Sequence, residues 1–176
     1  MYCTECGTEL IYKDCINFGI NDGAVPFCPT CSEFKFKRMN VAVSAVIFNS
    51  DLTKIFLIQQ YGNNKNILVA GYVSAEETLE QALVREIREE VNIEVASFHF
   101  NRSEYFAKSE SLICNFIVVA KNENFQISQE VDYANWYDIE SAKKVVYRNP
   151  QENNTSLAHK FLNLAVEKIN QRLLRC

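Results

Sequence analysis

The chain changes character near residue 36, and that break constrains its folding more than any other feature. The first 36 of its 176 residues hold five of the seven cysteines, three of the five glycines and two of the three prolines. No long apolar run occurs there, so this segment has little core of its own and needs another source of order. Two pairs, Cys3-Thr4-Glu5-Cys6 and Cys28-Pro29-Thr30-Cys31, stand 21 residues apart. Paired thiolates at this spacing suit a tetrahedral Zn²⁺ with no open position. A zinc ribbon is therefore expected over 1–36, with structural zinc on Cys3, Cys6, Cys28 and Cys31. A second domain is expected over 37–176. Gly7 follows the first pair, where a tight turn would let backbone N–H groups face the sulfurs.

The alternatives for the cysteines fit less well. Their number is odd and their spacing metal-like, and a chain with 48% hydrophobic residues can build a core without disulfides. A reducing, cytoplasmic setting is expected. Met1-Tyr2 opens directly into the cysteine motif, which does not resemble a signal peptide. No apolar run reaches the length of a membrane span. Cys15 lacks an obvious partner, Cys114 falls inside a strand, and Cys176 is terminal. None stands beside a base that would make it a nucleophile. His99 and His159 fall in a strand and a helix, with packing or surface roles. The formal net charge of −4 disfavours a broad nucleic-acid footprint.

From Val41 onward the pattern is that of an ordinary core. Val41–Phe48 reads as a β-strand closed by the turn residues Asn49-Ser50-Asp51. Lys54–Gln60, Val95–Phe106, Leu112–Ala120 and Ala134–Ile139 read as further strands, and Ile67–Val73 as a short apolar segment broken by Gly71. Residues 76–91 read as a helix whose Leu79, Leu83, Ile87 and Val91 form a buried stripe. Glu140–Tyr147 reads as a short helix, and Thr155–Leu174 as a longer one capped by Thr155 or Ser156. Strands alternating with a few helices suggest a sheet covered by helices.

The chemistry concentrates in Arg85-Glu86-Ile87-Arg88-Glu89-Glu90. On a helix, Glu86, Glu89 and Glu90 share an arc of roughly 100°. Two carboxylates about 4 Å apart repel by about 4 kcal/mol at an effective dielectric of about 20. A divalent cation, which prefers hard oxygen ligands, relieves that repulsion. The arc lies beside the apolar stripe, so the helix is expected to pack on one side and bind metal on the other.

Five residues separate Gly71 from Glu77, and seven separate Glu77 from Arg85. With Glu86, Ile87, Glu89, Glu90 and Ile93, this string resembles the Nudix box, G-x5-E-x7-R-E-U-x-E-E-x-G-U, where U is aliphatic. Asn92 replaces the second glycine, a mild change because Asn tolerates a left-handed helix C-cap. Glu76 stands where many members have glycine. The resemblance extends to the NADH pyrophosphatase branch, which carries a four-cysteine zinc ribbon before the domain. Ala70-Gly71-Tyr72-Val73, Glu77–Ala82, Phe36-Lys37-Arg38, Glu130–Tyr137 and Ser156-Leu157-Ala158 all resemble segments of that branch. The proline-rich signature of its NADH-specific members is altered here, at Ser103–Ser111, leaving NADH preference open.

The resemblance implies an α/β fold, a Nudix α/β/α sandwich with a mixed sheet. It implies hydrolysis of a nucleoside diphosphate derivative (NADH- or NAD-like, ADP-ribose or FAD-like), assisted by Mg²⁺ or Mn²⁺. Glu86, Glu89 and Glu90 would hold the metal, joined by the Ala70 carbonyl and Glu130. Glu89 or Glu130 could take the proton of the attacking water. Arg85 and Glu77 would brace the loop and helix. Phe36, Tyr72, Ser111 and Ala158 are candidate substrate contacts, with Tyr105 and Phe106 further candidates to stack on a base. A homodimer is a further expectation. One alternative is a Nudix-fold sensor that binds nucleotide without turnover. Another is a zinc-ribbon nucleic-acid adaptor, supported only by Lys35, Lys37 and Arg38.

Overall fold

Apolar runs in the second part of the chain do build strands, and the i, i+4 stripe does build a helix. Both are seen in a computed structural model that describes residues 1–151, 153 and 155–171. The chain divides into two compact units, Met1–Met39 and Asn40–Cys176.

The first unit is an antiparallel sheet of β1 (Ile11–Asn17), β2 (Ile20–Cys28) and β3 (Glu33–Phe34), with β2 in the middle. These strands are not legible as apolar alternation, and the exposure explains why. Ile11, Tyr12, Ile16, Phe18 and Ile20 all face solvent. Phe18 and Gly19, both at positive φ, form the tight turn between β1 and β2. Cys15 sits at a bulge in β1 and is buried.

The second unit runs β4 (Asn40–Phe48), β5 (Lys54–Gln60), β6 (Val69–Tyr72), α1 (Leu79–Val91), β7 (Val95–Phe106) and β8 (Ser111–Ala120). It ends with β9 (Val131–Asp138), α2 (Ile139–Val145) and α3 (Leu157–Asn170). The strand order is β7-β8-β4-β5-β9, and β4 is its spine. β8 runs parallel to β4 and every other pairing is antiparallel, so the sheet is mixed. Along its other edge β4 is shared. Ala42–Ala45 pair with β6, while Ile47 and Phe48 pair with β5.

Alternation along these strands divides the core into two layers. Val43, Ala45, Ile47, Phe56 and Ile58 pack with Leu83, Ile87 and Val91 of α1. Val46, Phe48, Ile55 and Leu57 pack on the other face with Ala142 of α2 and Phe161, Leu162 and Ala165 of α3. The result is the expected α/β sandwich with helices on both faces.

Several boundaries differ from expectation for identifiable reasons. α1 starts at Leu79 rather than residue 76, because Glu76 adopts φ 65 and Thr78 forms the N-cap. Thr78 and Gln81 make a reciprocal capping box. Asn92 closes the helix in the left-handed conformation, φ 49 and ψ 37, donating its N–H to the Arg88 carbonyl. β9 begins at Val131, three residues early, where it pairs with Gln60 across a bulge. α2 ends at Val145, and Val146 caps it in an extended conformation. Ser156 caps α3, its hydroxyl accepting from the His159 N–H. The expected residues 172–174 of that helix, and Cys176, lie outside the described residues.

Candidate active site

The site begins with a strand that must have no side chain. Gly71 lies in β6 opposite Val43. A Cβ at Gly71 would stand 1.9 Å from the Glu86 carboxyl carbon. Glycine is thus what lets the Glu86 carboxylate lie directly against the strand.

Arg85 then ties the loop to the helix. Its Nε donates to Glu77 Oε1 at 2.7 Å, and its Nη2 to Glu77 Oε2 at 2.8 Å and to the Tyr72 carbonyl at 3.0 Å. The Ser74 N–H donates to Glu77 Oε2 at 3.1 Å. This forked pair, with help from the Ser74 amide, holds the Glu77 carboxyl down to about 2. The remaining nitrogen, Nη1, reaches Glu86 Oε1 at 2.7 Å and Glu89 Oε2 at 3.0 Å. The expectation of three mutually repelling glutamates is corrected accordingly. A guanidinium bridges two of them, because Glu89 lies one helical turn beyond Arg85.

A second correction concerns Glu90. It does not lie on a separate metal-facing side but shares the buried face with Leu83, Ile87 and Val91. Its residue is only 5% exposed. Gln60 Nε2 donates to Glu90 Oε1 at 2.8 Å, while Oε2 is buried without a hydrogen-bond partner. Burial, reinforced by the charges of Glu86, Glu130 and Glu89, pushes the Glu90 carboxyl up to about 7 against the opposing Gln60 bond.

Glu130 reaches this neighbourhood through the backbone. The Ser128 N–H donates to the Glu90 carbonyl at 2.9 Å, and the Gln126 N–H to the Val91 carbonyl at 2.9 Å. These bonds hang the segment before β9 on the last turn of α1. The Glu130 N–H in turn donates to Ser128 Oγ at 3.3 Å. Ala70 precedes Gly71 in β6 and pairs with Ser44. Along the exposed side of α1 runs a groove of about 940 Å³ whose lining includes Glu77, Arg85, Arg88, Glu89 and Phe98.

The cysteines form a tighter cluster. The four Sγ atoms of Cys3, Cys6, Cys28 and Cys31 all lie within 4.8 Å of one another. Cys3 and Cys31 are 3.9 Å apart, Cys6 and Cys28 3.5 Å, and Cys6 and Cys31 3.4 Å. Zn–S bonds of about 2.3 Å in a tetrahedron place sulfurs about 3.8 Å apart. These sulfurs could therefore hold zinc with little movement. The Thr8 hydroxyl and amide pull the Cys6 thiol down to about 6, while the neighbouring sulfurs of Cys6 and Cys28 push the Cys31 thiol up. The Cys31 N–H faces Cys28 Sγ at 3.3 Å. Gly7, at φ 73, closes the tight turn with its N–H on the Cys3 carbonyl, and the backbone N–H that faces a sulfur there is that of Thr8. Among the described residues, the carboxylates of Glu86, Glu89, Glu90 and Glu130 do not converge as these sulfurs do.

The expected substrate contacts are scattered. Tyr72 is exposed, and its carbonyl serves Arg85. Phe36 belongs to the first unit, exposed, with its ring 6.4 Å from Phe34. Ser111 is buried, its hydroxyl donating to the Ser109 carbonyl at 3.0 Å. Ala158 packs on the α3 layer, across the sheet from α1. Residues 103–111 form the end of β7, a short turn and the start of β8, with Tyr105 exposed.

Sequence reasoning missed Gln60. A signal for it existed: it continues the Phe56, Ile58 side of β5 and so puts an amide on the face that packs against α1.

Comparison with known proteins agrees with this geometry. The NUDIX domain family pattern matches residues 38–159. An NAD-capped RNA hydrolase NudC of Pseudomonas aeruginosa is 26% identical over 141 residues, covering 80% of this chain and 48% of the relative. An NAD-capped RNA hydrolase NudC of Escherichia coli is 27% identical over 137 residues, covering 77% and 51%. The chain thus spans about half the length of the curated relatives it matches. A NUDIX hydrolase from Nitrosomonas europaea superposes with a TM-score of 0.70 at 19% identity, covering 97% of this chain and 92% of that one. The NUDIX domain of Shewanella oneidensis NrtR, solved with ADP ribose, superposes with a TM-score of 0.60 at 20% identity, covering 84% and 94%. At these identities the structural likeness is one of fold.

Proposed function

The chain belongs to the Nudix family, and on that premise we propose that it hydrolyses the diphosphate of a nucleoside diphosphate derivative with Mg²⁺ or Mn²⁺. The observation that carries the reading is Glu90. A buried carboxylate oxygen without a partner, raised toward neutrality and close to the charges of three more glutamates, suits a hard divalent cation. Glu86, Glu89 and Glu90 would hold it, with the Ala70 carbonyl and Glu130. Bound there, the ion supplies positive charge against the diphosphate and activation of water.

The chain's own groups do the positioning. Gln60 fixes Glu90 Oε1 and leaves Oε2 free. Gly71 admits Glu86. Arg85 and Glu77 hold the loop to α1, so that the carboxylates project from a fixed helix. Glu89 and Glu130, both exposed, are the carboxylates available to accept the proton of the attacking water. The sulfurs of Cys3, Cys6, Cys28 and Cys31 would take a structural zinc. NADH-like, ADP-ribose-like and FAD-like diphosphates are the candidate substrates, and the names of the curated relatives add an NAD-capped RNA 5′ end. The test is release of a mononucleotide from each of these, with and without Mg²⁺ or Mn²⁺. The Glu89→Gln, Glu90→Gln double variant runs alongside. Equal turnover by both proteins would overturn the assignment. Saturable binding without turnover by the unaltered chain would favour a nucleotide sensor.

A further inference from the structure

Residues Gln60–Asn63 make a turn in which both central residues, Tyr61 at φ 57 and Gly62 at φ 68, are left-handed. The Asn63 N–H donates to the Gln60 carbonyl at 3.1 Å, closing a type I′ turn. A bulky aromatic is uncommon in this conformation and persists only where its surroundings hold it. Here they do. Gln60 is held by its bond to Glu90 and by its pairing with Val131. The Gly62 N–H donates to Asp132 Oδ2 at 2.6 Å. Asn63 Nδ2 donates to the Tyr61 carbonyl at 3.3 Å.

The neighbours of Tyr61 in the chain are thus fastened to the two residues that follow Glu130 and to Glu90 itself. The residue is nevertheless 73% exposed. The backbone is thus fixed next to Glu90 and just beyond Glu130, and the residue is left open to solvent there. A packing role would bury the ring, and a solubility role would not call for an aromatic at a left-handed position.

We propose that Tyr61 is a substrate-contacting residue of this site, its ring stacking on a planar heterocyclic base of the nucleotide while the diphosphate lies at the carboxylates. The proposal rests on the hydrolase reading above and adds the group that recognises the base. Stacking needs only the face of a ring, so it accommodates more than one base. It gives binding that the sugar and phosphate alone would not.

The test compares Tyr61→Phe with Tyr61→Asn, the latter because Asn tolerates the left-handed conformation and spares the turn. Equilibrium binding of adenosine 5′-monophosphate and of nicotinamide mononucleotide is measured against ribose 5-phosphate, which lacks a base. The unaltered chain and Tyr61→Phe should prefer a base-bearing nucleotide, and Tyr61→Asn should lose about tenfold of that preference. In turnover, Tyr61→Asn should raise KM with kcat little changed. Unchanged melting temperatures confirm that the turn survives. Retention of the full base preference by Tyr61→Asn would overturn the proposal. Absence of turnover by the unaltered chain would instead overturn the hydrolase reading, with the binding comparison still deciding Tyr61.

Discussion

Replacing Glu90 with Gln should make the protein more stable, not less, at pH 8 in buffer free of divalent metal. An ordinary carboxyl at 4.5 is raised in the fold to about 7. At about 1.4 kcal/mol per pH unit, ionised Glu90 costs the fold about 3 kcal/mol. Below pH 4.5 both folded and unfolded chains carry the proton and nothing is lost. Between 4.5 and 7 the unfolded chain ionises first, so stability falls as pH rises. Above 7 the whole deficit is present. Glu90→Gln keeps the acceptor for Gln60 and removes the charge. Its new amide N–H₂ replaces the unpartnered Oε2 and costs about 1–3 kcal/mol if unsatisfied, but equally at every pH.

The quantity to measure is therefore the change in the variant–parent difference between pH 5 and pH 8. Trp136 is the only tryptophan and packs on Phe56 inside the second unit, so its fluorescence during urea unfolding reads that unit. The difference should move by about 2–3 kcal/mol in favour of the variant as pH rises. Added Mg²⁺ should then stabilise the parent and not the variant. A difference that stays constant within about 0.5 kcal/mol across this range would refute the argument that Glu90 is held as a strained carboxylate.

Gly71→Ala should lower kcat by about a hundredfold or more, because its Cβ would displace the Glu86 carboxylate. Steady-state kinetics beside a melting curve will show whether the loss is local. Glu76→Gly should stabilise the second unit by about 1 kcal/mol, since Glu76 sits at φ 65 without the permissive backbone of glycine; urea unfolding reads it. The purified chain should carry about one zinc, and Cys28→Ser should carry none; elemental analysis decides this.

The sheet is readable because its central strands β4 and β5 are short apolar runs, buried on both faces and bounded by turn residues. α1 is readable from Leu83, Ile87 and Val91. Its start is not, because the apolar stripe runs on through a left-handed Glu76 to a helix that begins only after the Thr78 cap. The first unit offers only its cysteines, since a sheet with exposed Ile11, Tyr12, Ile16 and Phe18 leaves no inside–outside pattern to read. In the site, spacing identifies Glu86, Glu89 and Glu90 as a group. Spacing does not show that Arg85 bridges two of them, nor that the third is buried, because both depend on where side chains settle.

The burial of Glu90 raises the question of what keeps it buried. About 3 kcal/mol opposes its ionised form, enough to rotate or unwind a free helix end. Leu83, Ile87 and Val91 lie on the same face, each fully or almost fully buried. A fully buried aliphatic side chain contributes about 1.5–3 kcal/mol, so these three together exceed the cost by a wide margin. The helix is also clamped at both ends. Thr78, Gln81 and the Arg85–Glu77 pair hold its start, and Asn92, Gln126 and Ser128 hold its last turn. Turning Glu90 outward would therefore turn the apolar stripe outward with it. The stripe that identified α1 as a helix is thus what holds an acid where water does not solvate it, and where a cation would bind it best.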